Sequence, residues 1–235
     1  MADLNQPVAI ITGGGRGVGR AAAELLAEQG YACAIVGRTK SQVESVAGQC
    51  ANALPIVADV SLPADCQRIV EETTRWRTRV DVLVNNAGIA PALPVESLTL
   101  EQWRRVIDTN LTGPFLIIRA CWPIFVQQSS GVIVNISSVS TEDPLPGLSA
   151  YAASKGGLNA LGRALAREGE AHHIRVHTLS LGAVETAMLR SVVDEKTLPR
   201  SATLDPADVA AVILACAQGQ LAHTNGDVIR LHRRP

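Results

Sequence analysis

An open parallel α/β sheet with helices on both faces is the architecture this sequence predicts, and three observations carry the prediction. Short β-branched runs alternate with helical patterns from one end of the chain to the other. A glycine cluster, Gly13-Gly14-Gly15-Arg16-Gly17-Val18-Gly19, follows the first such run and opens into a helix-favouring stretch. The 235 residues, 47% hydrophobic and 18% charged, suffice for one large α/β core and are few for two. The expectation is a doubly wound sheet of about seven parallel strands, forming a single domain over residues 1–235.

In chain order, strands are expected at 8–12, 32–37, 54–57, 80–85, 131–136, 174–180 and 227–231. They are short and mostly rich in valine and isoleucine, as strands buried on both faces are. Helices are expected at 17–29, 41–51, 63–76, 100–128, 151–170 and 206–218, with Pro114 predicting a break in the fourth. Asp205 before Pro206 reads as an N-cap followed by a first-turn proline. No repeat, linker or low-complexity block interrupts the pattern.

Composition narrows the function. A net charge of −1, from 21 basic and 22 acidic residues, gives no electrostatic reason to expect nucleic acid or an anionic membrane as partner. The five cysteines are scattered without metal-ligand spacing and read as small core hydrophobes in a reducing compartment. His172 and His173 have no third ligand at helical or hairpin spacing, so a polar helix end is expected there, not a metal. The polar N-terminus runs into a strand without a signal-peptide pattern, and no apolar run is long enough to span a bilayer. The cytoplasm is the expected compartment.

The glycine loop points to a dinucleotide. Glycines permit positive φ and let backbone N–H groups approach a pyrophosphate at a helix N-terminus. Sited after the first strand of a βαβ unit, this loop is the phosphate-binding turn of a Rossmann fold. The second strand ends Ile35-Val36-Gly37-Arg38, without the acid that an NAD site places on the ribose 2′-hydroxyl. Arg38 and Arg16 instead offer two guanidiniums to a 2′-phosphate through charge-assisted hydrogen bonds. NADP(H) is the expected cofactor.

The chemistry is expected at the strand ends, where ligands of open parallel sheets bind. The fourth strand runs into Asn85-Asn86-Ala87-Gly88, and the fifth ends Asn135-Ile136-Ser137-Ser138. Tyr151 and Lys155 stand four apart, so on a helix they share one face. A phenol with a pKa of about 10 is a poor acid–base catalyst near neutrality, and a neighbouring ammonium lowers that value.

Together these residues resemble the short-chain dehydrogenase/reductase family over nearly the whole chain. The matching pieces are T-G-x-x-x-G-x-G from Thr12 to Gly19, Asp59-Val60, N-N-A-G at 85–88, Asn110, Ser138, and the Tyr151/Lys155 pair 13 residues beyond that serine. The resemblance implies that Tyr151 exchanges the proton with the substrate oxygen and that Ser138 hydrogen-bonds that oxygen. It implies that Lys155 lowers the tyrosine pKa and holds the nicotinamide ribose, and that Asn110 supports a proton-relay water. Thr12, Gly13, Gly15, Gly17, Val18 and Gly19 then form the phosphate loop, Asp59 and Val60 flank the adenine, and Asn86, Ala87 and Gly88 line the cleft. Gly182, Val184 and Thr186 meet the nicotinamide end. Hydride transfer belongs to the nicotinamide itself.

Two departures stand out. The family's P-G-x-x-x-T reads here Leu181-Gly182-Ala183-Val184-Glu185-Thr186, and losing the proline predicts a looser loop over the nicotinamide. The segment 226–235 also lacks the usual glycine-rich ending. The leading expectation is an NADPH-dependent reductase of a small ketone or aldehyde. A β-ketoacyl-[acyl-carrier-protein] reductase is the runner-up, and an NADP-binding regulatory protein without turnover is the remote alternative. Uncharged residues at 127–130 and the acidic Glu168 and Glu170 disfavour docking of an acidic carrier protein, which Arg163 and Arg167 partly counter. A homotetramer, or a homodimer, is expected from the family. The small residues of helix 151–170 and its Leu158, Leu161 and Leu165 would pack against partner helices.

Overall fold

Strands buried on both faces need helices above and below, and the chain supplies them in alternation. The structure, a computed structural model, describes residues 6–233; most of the polar N-terminal segment and residues 234–235 of the tail lie outside that range. Among the described residues there are seven strands: β1 (Val8–Thr12), β2 (Ala32–Gly37), β3 (Ala53–Val57), β4 (Val82–Asn85), β5 (Gly131–Ser138), β6 (Ile174–Leu181) and β7 (Val228–Leu231). All pair in parallel, in the order β3-β2-β1-β4-β5-β6-β7. The chain therefore winds outward from β1 in one direction, crosses back, and winds outward from β4 in the other. That reversal opens a crevice between the ends of β1 and β4.

Side chains alternate between two cores. Ile10, Ala34, Leu83 and Ile133 face α3 (Pro63–Arg77), α5 (Gly113–Gln128) and α6 (Ser149–Gly169). Ala9, Ile11, Val84 and Val134 face α1 (Gly17–Glu28) and α8 (Pro206–Ala217). The period-2 pleat thus divides one run, Ala9-Ile10-Ile11, between opposite layers. α2 (Lys40–Ala47) joins the second core through Val43 and Val46.

Two departures from the expected element limits have local causes. β4 starts at Val82 and not at 80 because Asp81 turns its side chain onto the Val8 N–H at 2.7 Å. The long fourth helix divides as Pro114 predicts: α4 (Leu100–Ile107) passes through a five-residue π turn, Asp108–Thr112, into α5. A proline lacks the N–H that residue 110 would accept at i+4, so the ladder must open there. α4 begins with a Thr99/Gln102 capping box, and α8 with the expected Asp205 cap and Pro206.

Two expectations are corrected. Leu181 does not loosen its loop; unlike proline it can pair, so β6 extends through it in register with Leu231, and Gly182 N–H donates to the Leu231 carbonyl at 2.7 Å. In α6, Leu158 and Leu165 are buried in the chain's own interior, leaving Ala153, Ala160 and Ala164 as its exposed small residues. Cys33, Cys66, Cys121 and Cys216 are buried and all five thiols are free. Among the described residues no helix is long and apolar enough to cross a membrane.

Candidate active site

The crevice becomes a cleft of about 760 Å³ running along the strand ends. At its centre two loops are pinned together by Thr12, the last residue of β1. Its hydroxyl accepts the N–H groups of Asn86 and Ala87, both at 3.0 Å, and donates to the Val84 carbonyl at 3.2 Å. Asn86 returns the bond, its Nδ2 reaching Thr12 O at 2.9 Å and Gly13 O at 3.2 Å. Thr12 is buried, so it braces the phosphate loop from behind instead of lining it. Gly19 is likewise behind the wall, since a Cβ there would lie 2.3 Å from Gly13 O.

The wall facing the cleft suits a pyrophosphate. Gly13 and Gly17 both hold left-handed φ, +65° and +54°. A Cβ on Gly17 would press on Thr186 Cγ2 at 3.1 Å, and one on Gly15 would meet Gln42 Cβ at 2.9 Å. Side chains would therefore fill the space that the backbone leaves for a ligand. α1 starts at this loop with no side-chain cap and no acid in its first turn, so its free N–H groups and positive dipole end suit an anion.

Gly13, Gly15, Arg16, Gly17, Val18, Arg38, Asp59 and Val60 line one end of the cleft. Asn86, Ala87 and Gly88 line its middle; Ser138, Tyr151, Lys155, Gly182, Val184 and Thr186 line the other end. Arg38 is half exposed and lies 3.7 Å from Asp59 Oδ2. Burial by itself raises the Asp59 carboxyl, but the Ser61 N–H and hydroxyl, with Arg38, hold it below the usual carboxylate range. Thr39, Gln42, Asp143, Leu145 and Leu148 also line the cleft. Sequence reasoning passed them over because each is an unremarkable residue until the chain crosses back over the sheet.

At the far end α6 lies against the end of β5. Lys155 is 4% exposed and its Nζ donates to the Ile136 carbonyl at 2.7 Å. Burial lowers its pKa to about 8. Burial also raises the half-buried Tyr151 phenol, a rise that the Ser138 side chain offsets only in part. Spacing alone assigns a lowering to Lys155, whose ammonium stands 5.7 Å from the tyrosine ring centroid; the lowering influence here comes from Ser138. Ser138 Oγ is oriented by the Ser140 N–H at 3.1 Å.

Asn110 sits in the π turn and is fully buried. Its carboxamide is committed: Oδ1 accepts Ile89 N–H at 2.9 Å, and Nδ2 donates to Ile89 O at 2.9 Å and Ser154 Oγ at 3.1 Å. The side chain thus ties the β4 loop to α6 and does not line the cleft. What Pro114 leaves without a helical donor at i+4 is the backbone carbonyl of this residue.

The lid over this end includes α7 (Ala187–Arg190). Arg190 grips both Glu185 oxygens and donates to Leu198 O at 2.7 Å. Its hydrogen bonds hold the Glu185 carboxyl low. A bridge between Val184 and Leu204 closes the base of the lid.

The lysine generates a prediction. Its folded pKa, about 8, lies below the ordinary 10.5, so between these values the unfolded chain binds more protons than the folded one. Stability from this group therefore rises with pH through that window and is lowest below pH 8. The raised Tyr151 value acts oppositely above its ordinary 10, which confines the clean window to pH 8–10. Lys155→Met should gain on the wild type by something on the order of 1–3 kcal/mol more at pH 7 than at pH 10. Buried thiols titrate alike in both proteins and cancel. Urea midpoints at the two pH values check this, and a pH-independent difference contradicts it.

Residues 7–197 match the family model described as short chain dehydrogenase. A 3-oxoacyl-[acyl-carrier-protein] reductase of Bos taurus is 37% identical over 207 residues, spanning 86% of this chain and 87% of that protein. The crystal structure of a 3-ketoacyl-(acyl-carrier-protein) reductase from Brucella melitensis, complexed with NADH, superposes with TM-score 0.92 at 33% identity, covering 98% of both chains. That of levodione reductase superposes with TM-score 0.90 at 30% identity, covering 96% of both. A glycine loop stapled at the strand-order reversal, with tyrosine, lysine and serine at the far end of one cleft, thus coincides with a match over most of the sequence: the chain belongs to the short-chain dehydrogenase family, oxidoreductases that act on CH–OH and C=O groups with a nicotinamide cofactor.

Proposed function

We propose that this chain is an NADPH-dependent reductase of small ketones or aldehydes, with Tyr151 as its acid and base. The observation that supports this most is that Tyr151, Ser138 and the buried Lys155 line one cleft together with Arg16 and Arg38. When bound, the nicotinamide supplies or takes the hydride. Tyr151 then gives its proton to the carbonyl oxygen in reduction and takes it back in oxidation. Ser138 Oγ donates to the same oxygen as negative charge develops there. Lys155 carries a charge near the phenol and would hold the ribose, and the Asn110 backbone carbonyl, which Pro114 leaves without a helical donor at i+4, would hold a water that reloads the proton. Thr186 serves the carboxamide.

The substrate end supports a free, apolar carbonyl compound. Leu145, Leu148, Met188, Leu189, Val192 and Val193 wall it, and Asp143 at the same end has no ion-pair partner among the described residues. An unpaired carboxylate there opposes anionic ligands. The 3-oxoacyl-[acyl-carrier-protein] reductases among the relatives support the second reading, a carrier-protein substrate. Free cysteines suit a cytoplasmic setting. Exposed Trp103 and Phe115, with the exposed alanines of α6, suit a homotetramer or homodimer.

Tyr151→Phe should abolish NADPH-dependent reduction of a ketone panel while leaving cofactor affinity within about twofold, since only the acid–base group is lost. A variant that keeps most of its kcat sinks the mechanism. In the same panel, acetoacetyl-acyl-carrier protein winning over free ketones by orders of magnitude at low salt promotes the second reading.

Cofactor choice is tested separately. NADPH should bind at least about tenfold more tightly than NADH, and Arg38→Asp should erase or invert that ratio by opposing the 2′-phosphate. Equal affinities in the starting protein, measured by titration calorimetry, refute the arginine reading. For assembly, light scattering at micromolar concentration should give a mass near four chains, or two; a monomer rejects it.

A further inference from the structure

α6 presents a third polar residue to the end of β5. Asn159 follows Lys155 at the same four-residue step that separates Lys155 from Tyr151, so the three share one helix face. All three face the end of that strand. Tyr151 lines the cleft with Ser138, Lys155 Nζ bonds the Ile136 carbonyl, and Asn159 Oδ1 accepts the Ser137 hydroxyl at 2.5 Å. Asn159 Nδ2 lies 3.4 Å from Thr141 Oγ1, whose hydroxyl donates to the Ser138 carbonyl at 3.0 Å. One carboxamide thereby holds the residue before Ser138 and the turn after it.

We propose that Asn159 is a positioning residue for the acid–base step, fixing where Ser138 Oγ stands relative to the Tyr151 hydroxyl. The proposal rests on the reading of Tyr151 as acid and base. Asn159 is 8% exposed and does not line the cleft, so it acts only through the residues it bonds. Burying an amide against a strand costs free energy unless it is hydrogen-bonded, and this one is bonded solely at the flanks of Ser138. Removing it leaves the Ser137 hydroxyl, 2% exposed, with only the Lys155 carbonyl at 3.4 Å. The strand end is then free to shift, and a displacement of about 1 Å in such a site costs roughly 100-fold in rate. The Ser138 side chain also partly offsets the rise that burial gives the Tyr151 phenol, so displacing it moves that group's titration upward.

The test compares Asn159→Ala, Ser137→Ala and the double variant in cofactor-saturated alcohol oxidation, where the phenol must be deprotonated. Each single change should lower kcat by about 10–100-fold, leave KM for the cofactor within about twofold, and move the acid limb of the kcat profile to higher pH. Because both act through one bond, the double variant should be no slower than the slower single one. A wild-type kcat and acid limb in Asn159→Ala overturns the proposal, as does a lowered kcat with an unmoved limb and additive losses. Should Asn159→Ala fail to fold, Ser137→Ala decides alone by its limb. Tyr151→Phe runs alongside: if it turns over, the underlying reading falls, whereas an inactive Tyr151→Phe beside an unaltered Asn159→Ala removes only the positioning role.

Discussion

The hydroxyl of Thr12 uses all its hydrogen-bonding capacity at once, accepting two N–H groups from the loop after β4 and donating to the Val84 carbonyl of that strand. β1 and β4 are neighbours in the sheet, yet their following segments diverge to opposite faces. Something must keep the two strand ends aligned where the helices pull apart, and this hydroxyl with the Asn86 amide does so. The glycine loop can then keep its open backbone without collapsing onto the β4 loop. Without that staple the cleft would have no fixed floor, and the two ends of the dinucleotide site would have no fixed separation.

From that floor the site is built by strand ends of unequal length. β5 and β6 run eight residues each, β4 only four, so β5 carries Ser138 forward beneath α6. The helix is held against it by polar contacts, the Lys155 ammonium on the Ile136 carbonyl foremost. Burying an ammonium is unfavourable, as its lowered pKa records, and the carbonyl offsets only part of the cost. The fold thus carries a local strain in charge where chemistry is expected.

The lid answers a different need. It lies outside the core, and few of its residues are buried. Its order comes from two ion pairs, Glu185 with Arg190 and Glu195 with Arg200, from the Arg190 bond to Leu198 O, and from two backbone bonds between 183–185 and Leu204. The C-terminal strand supports it from below: β7 pairs with the end of β6, and Arg233 donates to Thr203 O at 3.1 Å.

The sequence by itself determined the layers, the strands at 8–12 and 32–37, the break at Pro114, the cap at Asp205, and the motifs whose residues meet at the strand ends. These are local facts: periodicity, a missing N–H and a four-residue helical step do not depend on distant neighbours. Only the tertiary structure decided which of those residues face the ligand. Thr12, Gly19 and Asn110 carry the same motif weight as Gly13 or Ser138, yet they point behind the wall because three loops meet there. Asp143, Gln42 and Asn159 carry no local signal at all, and become part of the site or its frame only when chain segments far apart in sequence are brought together. The effect of Leu181 was also invisible beforehand, since whether losing a proline loosens a loop or lengthens a strand depends on a partner, Leu231, that lies 50 residues away.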